Sequence, residues 1–178
     1  MSTVEDKIRV IIEAVRMDLN IRNYYSALVV AFTLPDVTSK LQFPDKYTGE
    51  RYVKWFEDYM QGEYIKEVGA DHEEVSFLTG GDFYALRCSM LHQGETEIIN
   101  QKARKHLSNF IFLKPDQYTN NFIHRNRIND VLQLQVDEFC EEIIEGTEKW
   151  LERYKNNSGI NDKAKNLIDI HEFNNFNF

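Results

Sequence analysis

Residues 78–94 read LTGGDFYALRCSMLHQG, and this stretch contains one short helix together with the signals that begin and end it. Thr79 and Asp82 are polar residues of the kind that open a helix. Gly94 stands just after the last helical position, where glycine adopts a left-handed backbone at little cost. The pattern predicts a helix over residues 80–93. Apolar residues recur along it at helical spacing and predict a buried stripe: Phe83, Leu86, Met90 and Leu91.

The same helix carries Arg87 and His92, a permanent cation and a group that titrates near neutrality. Five residues turn an α-helix by about 140° beyond one full turn, so the two side chains do not share a face in mid-helix. They can converge only because His92 falls in the last turn, before Gly94, and because an arginine side chain is long. The alternative is that Arg87 pairs with an acidic residue and that His92 only caps the negative helix end.

Length and composition are those of an ordinary globular protein. The chain has 178 residues, of which 42% are hydrophobic and 28% charged, enough for one domain with a sizeable core. We assign residues 1–159 to a single helical domain and residues 160–178 to a C-terminal tail that is either a short helix or mobile. The formal net charge of -8 argues against non-specific electrostatic binding of a nucleic-acid backbone, although it is compatible with a local basic pocket.

The cysteines and the apolar runs indicate a cytoplasmic protein. Cys88 and Cys140 lie inside apolar patterns without metal-ligand spacing, so we predict reduced core thiols. Charged residues interrupt the N-terminal segment, which therefore does not resemble a signal peptide. The longest apolar run, residues 27–32, is too short to span a membrane. We expect no membrane contact, no metal and no cofactor.

Three helices are predicted before residue 78. A capping box at residues 2–5 opens the first, over residues 3–19. The second begins at Asn20 or Asn23, is apolar on all sides and ends at Pro35. Residues 35–49 are predicted to be an irregular connection, and residues 61–77 fit either a helix or a loop. The third helix follows residues 48–50, and its aromatic-rich stripe is interpreted as core: Tyr52, Val53, Phe56, Tyr59 and Met60.

Short strands are predicted after Gly94, at residues 109–113, 121–124 and 131–136, where two or three of them would form a small antiparallel ribbon. A long helix follows from Asp137. The fold is therefore predicted to be mainly α, an antiparallel helical bundle with a small β-hairpin inserted before the last long helix. The most basic local cluster falls on the hairpin, where it either guides an RNA backbone or is a solvated tip: Lys114, His124, Arg125 and Arg127.

Residues 87–92, RCSMLH, resemble the R-x4-6-H signature of HEPN domains. The run 83–94 is also similar to a group of uncharacterised bacterial HEPN-like proteins. The similarity extends to residues 34–36 and 51–56, covering most of residues 20–155. One departure is Cys88, since a polar residue such as asparagine usually follows the arginine.

The resemblance implies a helical bundle that dimerises with its motif helices facing each other. Many such domains are metal-independent endoribonucleases, often toxins or antiviral effectors, whereas others have lost catalysis and bind RNA or partner proteins. His92 would then transfer a proton at the attacking or leaving oxygen, and Arg87 would bind the phosphate. Ser89 would either orient one of these side chains or face the core, and Asp36 would pair with Arg87.

These implications leave three hypotheses. The first is a homodimer that cleaves RNA. The second is a non-catalytic homodimer that binds RNA or a protein partner such as an antitoxin or regulator. The third is a structural helical domain in which the motif is incidental.

Overall fold

The computed structural model describes residues 3–68, 72–116 and 121–170. More than half of these residues are helical, which confirms the mainly α class. The helices are α1 (Val4–Asn20), α2 (Tyr24–Ala31), α3 (Thr33–Gln42), α4 (Thr48–Tyr59), α5 (Gly80–Gln93), α6 (Val136–Tyr154) and α7 (Ser158–Ala164), with a 3-10 turn at Gln61–Tyr64. The strands are β1 (Ile65–Val68), β2 (Glu73–Ser76), β3 (Asn109–Leu113), β4 (Asn126–Ile128) and β5 (Val131–Gln135).

An aromatic cluster forms the centre of the core, between α6 and the helices that pack around it. Phe83 of α5 lies 5.7 Å from Phe32 and 6.0 Å from Phe139 of α6, measured between ring centroids. Phe56 of α4 lies 5.1 Å from Phe83 on another side. All four rings are fully buried. The other aromatic residues of the predicted α4 stripe, Tyr52 and Tyr59, are buried as well, which confirms that they are core rather than a stacking surface, whereas Val53 is only half-buried.

Helix α5 begins and ends where its sequence predicts. The Thr79 hydroxyl accepts a hydrogen bond from the Asp82 amide at 3.1 Å, and Gly94 closes the helix with a left-handed backbone, φ +71°. The buried Asp82 carboxylate accepts hydrogen bonds from the amides of Lys105 at 2.7 Å and His106 at 3.1 Å. The start of α5 is thereby tied to the loop that leads to β3.

Residues 35–49 differ from the prediction, because most of them belong to α3. Pro35 does not end a helix. It lies in the first turn of α3, where a helical amide has no intrahelical acceptor to lose. Burial of Leu34 and Leu41 holds α3 on the core, so that Asp36 projects from a helix rather than from a loop.

The strands pair differently from the predicted ribbon. Strands β1 and β2 pair antiparallel, so the described residues between 61 and 77 include strands, where a helix or a loop was predicted. In the second sheet, of order β3-β5-β4, β3 runs parallel to β5 and β4 antiparallel to it. Residues 121–124 are not a strand, and the hairpin that precedes α6 is β4–β5. Alternating hydrophobicity marks a strand but carries no information on its partner or direction.

The residues after 159 begin as a helix, one of the two forms predicted for the tail. Helix α7 contacts α1 and α3, and it buries Ile160 and Ala164 in the core. Residues 171–178, which include the end of the predicted tail, lie outside the described residues. None of the helices that the structure describes is both long and apolar enough to cross a membrane.

Both cysteines are free thiols, as predicted, but they differ in burial. Cys140 is fully buried, whereas Cys88 is only half-buried. Burial raises the pKa of the Cys140 thiol far above its usual value, so this thiol stays protonated and behaves as a small apolar group.

Gly146 provides a test of the packing between α4 and α6. A Cβ atom at this position would lie 2.9 Å from Cη2 of Trp55 and 3.2 Å from Cγ of Met60, both buried. Alanine gains about 1 kcal/mol of helix propensity over glycine, whereas overpacking costs about 1–3 kcal/mol. We expect Gly146→Ala to lower the free energy of unfolding by about 1 kcal/mol in urea denaturation. Gly62→Ala is the control, because a Cβ there meets nothing within 4 Å, and an equal or stabilising effect of Gly146→Ala would contradict the packing.

Candidate functional site

Arg87 and His92 meet at the C-terminal end of α5 despite their five-residue spacing. Nη1 of Arg87 lies 3.1 Å from Nε2 of His92, which is exposed in the last turn of the helix. A guanidinium can only donate, so a hydrogen bond between the two side chains requires Nε2 to be the acceptor and the ring proton to be on Nδ1. In this contact the Nε2 lone pair of His92 is therefore occupied by the Arg87 donor.

Asp36 holds the other side of the Arg87 guanidinium. Its Oδ2 accepts from Nε at 2.8 Å and from Nη2 at 2.5 Å, and the two side chains are only 17% and 16% exposed. Burial disfavours the charged guanidinium, but the hydrogen bonds and the charge of Asp36 outweigh it and raise the pKa of Arg87. Of the five N–H donors of an arginine, three are engaged with Asp36 and His92, and the other two have no hydrogen-bond partner among the described residues.

Ser89 is not brought to the Arg87–His92 pair. Its side chain is fully buried, and its hydroxyl donates to the backbone carbonyl of Glu97 at 2.6 Å. The hydroxyl thus fastens the segment after Gly94 to α5. Of the two positions that the sequence allowed for Ser89, the structure shows the one inside the protein.

Cys88 occupies the position where the family resemblance expects a polar residue. It lies against Tyr84 on the preceding turn of α5. Burial of Tyr84 and the neighbouring Cys88 thiol raise the pKa of the phenol. Cys88 therefore interacts with a neighbouring aromatic side chain, and it does not extend the polar surface of the Arg87–His92 pair.

The basic cluster predicted to bind RNA is not one exposed surface. Lys114 is exposed just after β3. Arg125 instead donates from Nε to Glu142 at 2.5 Å, and its Nη2 lies 3.1 Å from Glu63. Arg127 donates to the backbone carbonyl of Asn129 at 2.7 Å. Only Lys114 keeps the solvated position that backbone binding would require.

His124 and Arg125 belong to a buried network centred on Glu142, which the sequence does not reveal. The Gln135 amide donates to Nδ1 of His124 at 3.1 Å, so Nε2 carries the proton and donates to Glu142 at 2.9 Å. The Tyr64 hydroxyl also donates to Glu142. Burial opposes the carboxylate, yet the hydrogen bonds from His124 and Tyr64 keep the pKa of Glu142 below its usual value. The members of this network come from separate elements of the fold, so no local sequence pattern predicts it.

Two further residues lie close to the site and were not predicted. Arg51 of α4 and Lys40 of α3 line the same cavity as Asp36 and Arg87. Arg51 directly precedes the buried Tyr52 on α4, but the sequence does not distinguish it from Lys54 on the same helix.

In the described parts of the chain, no group of three or more His, Cys, Asp or Glu side chains is placed to hold a metal ion. Comparison of the chain with protein-family models, with curated proteins and with solved structures gives no match.

Proposed function

We propose that this protein is a HEPN-like endoribonuclease that acts as a homodimer and requires no metal, with Arg87 binding the scissile phosphate and His92 transferring a proton. The observation that carries the proposal is the 3.1 Å contact between the two side chains. A five-residue spacing separates side chains in mid-helix, so this contact depends on the placement of His92 in the final turn of α5. It joins a fixed cation to a group suited to acid–base work near neutral pH.

The chemistry uses the nucleophile that RNA itself carries. The 2′-oxygen attacks the adjacent phosphorus, the bond to the 5′-oxygen breaks, and the products are a 2′,3′-cyclic phosphate and a 5′-hydroxyl. One imidazole accepts the proton of the 2′-hydroxyl, and a protonated imidazole donates one to the leaving 5′-oxygen. The two remaining N–H donors of Arg87 stabilise the charge that grows on the phosphate oxygens.

Asp36 and the dimer complete the proposed site. Asp36 positions the guanidinium from the side opposite His92, and a ligand that draws Arg87 away from His92 would release the lone pair on Nε2. One chain supplies a single Arg87–His92 pair. Two facing pairs would provide both the base and the acid that the reaction needs.

A second candidate function is a non-catalytic homodimer that binds RNA or a protein partner. It is favoured by the engagement of Arg87 with Asp36, which neutralises the cation, and by the net charge of -8. In this alternative the Arg87–Asp36 pair is a structural link between α3 and α5.

Cleavage of a single-stranded RNA in excess chelator tests the proposal. We expect the wild-type protein to cut the RNA, to leave a 2′,3′-cyclic phosphate and to spare the same sequence made with 2′-deoxyribose, because that strand lacks the nucleophile. A dependence on divalent metal, equal cutting of the deoxy strand, or no cutting at all would contradict it. Binding of RNA without cutting would favour the non-catalytic alternative.

A further inference from the structure

The cavity between α3, α4 and α5 adjoins the Arg87–His92 pair. It has a volume of about 420 Å³, and its polar lining includes Asp36, Lys40, Thr48, Arg51 and Arg87. Three of these groups are cations and one is a carboxylate. The cavity is therefore locally positive in a chain whose formal net charge is -8.

Asp36 does not neutralise all of these cations. Its Oδ2 accepts both hydrogen bonds from Arg87, while its Oδ1 is buried and has no hydrogen-bond partner among the described residues. Lys40 donates to the backbone carbonyl of Pro44 at 3.0 Å, and its ammonium makes no ion pair with any described residue. Positive charge thus remains in the cavity after the Arg87–Asp36 pair has formed.

Arg51 is the unusual member of the group. Its side chain is half-buried and its Nε is shielded from solvent without a partner. Within the described chain no atom of this side chain makes a hydrogen bond or an ion pair. The other half-buried arginines among the described residues each donate to an oxygen atom: Arg87, Arg104, Arg125 and Arg127. Since an unsatisfied buried donor is costly, an arginine left in this state beside a positive cavity is suited to an anionic ligand.

We infer that Arg51 is a second phosphate-binding residue, which takes an RNA phosphodiester next to the one held by Arg87. The inference rests on the proposed function. The planar guanidinium of Arg51 matches two phosphate oxygens, and Lys40 adds a point charge at the rim of the cavity. Arg51 positions the strand, whereas Arg87 and His92 act at the scissile bond.

Binding of a 2′-O-methyl oligoribonucleotide tests the inference, because this strand keeps its phosphates and cannot be cut. We expect Arg51→Gln to weaken binding by about tenfold to a hundredfold, the effect of one charged hydrogen bond. The slope of log affinity against log salt should fall by about 0.7, the value for one phosphate contact on a single strand. Arg51→Lys should restore the salt slope but not the full affinity, because the charge returns without the fork.

Arg9→Gln is the matched control. It removes one positive charge from the exposed face of α1, where Arg9 pairs with Glu5, and it should change affinity by less than about twofold. Thermal unfolding shows whether each variant is folded. If Arg51→Gln does not fold, the binding comparison is made between the wild type and Arg51→Lys.

The outcomes separate this inference from the proposed function. Equal affinity and salt slope in wild type, Arg51→Gln and Arg51→Lys would overturn the inference even if the wild type cuts RNA, and would leave Arg51 as a residue satisfied by water. If the wild type binds RNA without cutting it and Arg51→Gln binds more weakly than the wild type, the phosphate site is supported although the nuclease proposal fails. No binding by the wild type would overturn the inference.

Discussion

Replacement of His92 by alanine is expected to slow RNA cleavage by about 10²- to 10⁴-fold, the usual contribution of a positioned acid–base group. His92 is exposed, and its described side-chain hydrogen bond is the one with Arg87. The substitution should therefore leave the free energy of unfolding within about 1 kcal/mol of the wild type. The measurement is the single-turnover cleavage rate with chelator present, together with urea denaturation of the same preparation.

The controls for His92 come from the same chain. His106→Ala removes another exposed imidazole and should leave the rate unchanged, which excludes a general effect of losing histidine. Arg87→Ala should also abolish most of the activity, and the double variant should be little slower than either single variant, because the two groups act as a unit. A His92→Ala protein that cuts RNA at the wild-type rate would rule out the proposed mechanism.

Replacement of Glu142 by alanine is expected to lower the free energy of unfolding by about 3–5 kcal/mol, the cost of removing one partner from a buried ion pair. The substitution leaves His124 and Arg125 without their shared acceptor, and it leaves the buried Tyr64 hydroxyl without a partner. Glu145→Ala is the control, because Glu145 lies exposed on the same helix and should change stability by no more than about 0.5 kcal/mol.

Acid provides a second readout for Glu142. Because its pKa is lower in the folded than in the unfolded protein, the stabilisation is complete above the usual value of 4.5 and is lost as the pH falls through the lower, folded value. The difference in stability between wild type and Glu142→Gln should therefore shrink in acid. If the difference in stability between wild type and Glu142→Gln is constant from neutral pH into acid, the charge of Glu142 does not stabilise the fold. Equal stabilities of Glu142→Ala and Glu145→Ala would contradict the prediction as well.

Local signals predicted much of the helical framework. The bounds of α5 followed from Thr79 and Gly94, because a cap satisfies backbone groups within a few residues of itself. The convergence of Arg87 and His92 was accessible for the same reason, since both stand on one helix near its end. The aromatic stripe of α4 identified its buried face through its spacing alone.

Other features had no local signal. Pro35 was interpreted as the end of the second helix. A proline can equally lie in the first turn of a new helix, and here α3 starts just before it because burial of Leu34 and Leu41 stabilises that helix on the core. The direction of β3 against β5 depends on the path of the chain between them. The basic residues of the hairpin region were predicted to be open to RNA or to solvent. Arg125 instead donates a hydrogen bond to Glu142, a residue 17 positions later in the chain.

The sequence by itself determined the helical class and the limits of α5, because periodicity and capping act over a few residues. For Arg87 and His92 at the end of that helix it left two alternatives, and the contact between them is seen only in the folded chain. The resemblance also implied that Asp36 pairs with Arg87, but only the tertiary structure decided how the pair is held and what lies beside it. Asp36 reaches Arg87 across 51 positions of sequence, and Arg51 joins them only because α3, α4 and α5 enclose one cavity. In that cavity Asp36 is bound to Arg87, whereas the Arg51 side chain has no partner among the described residues. Both arrangements depend on how the helices pack rather than on any one segment.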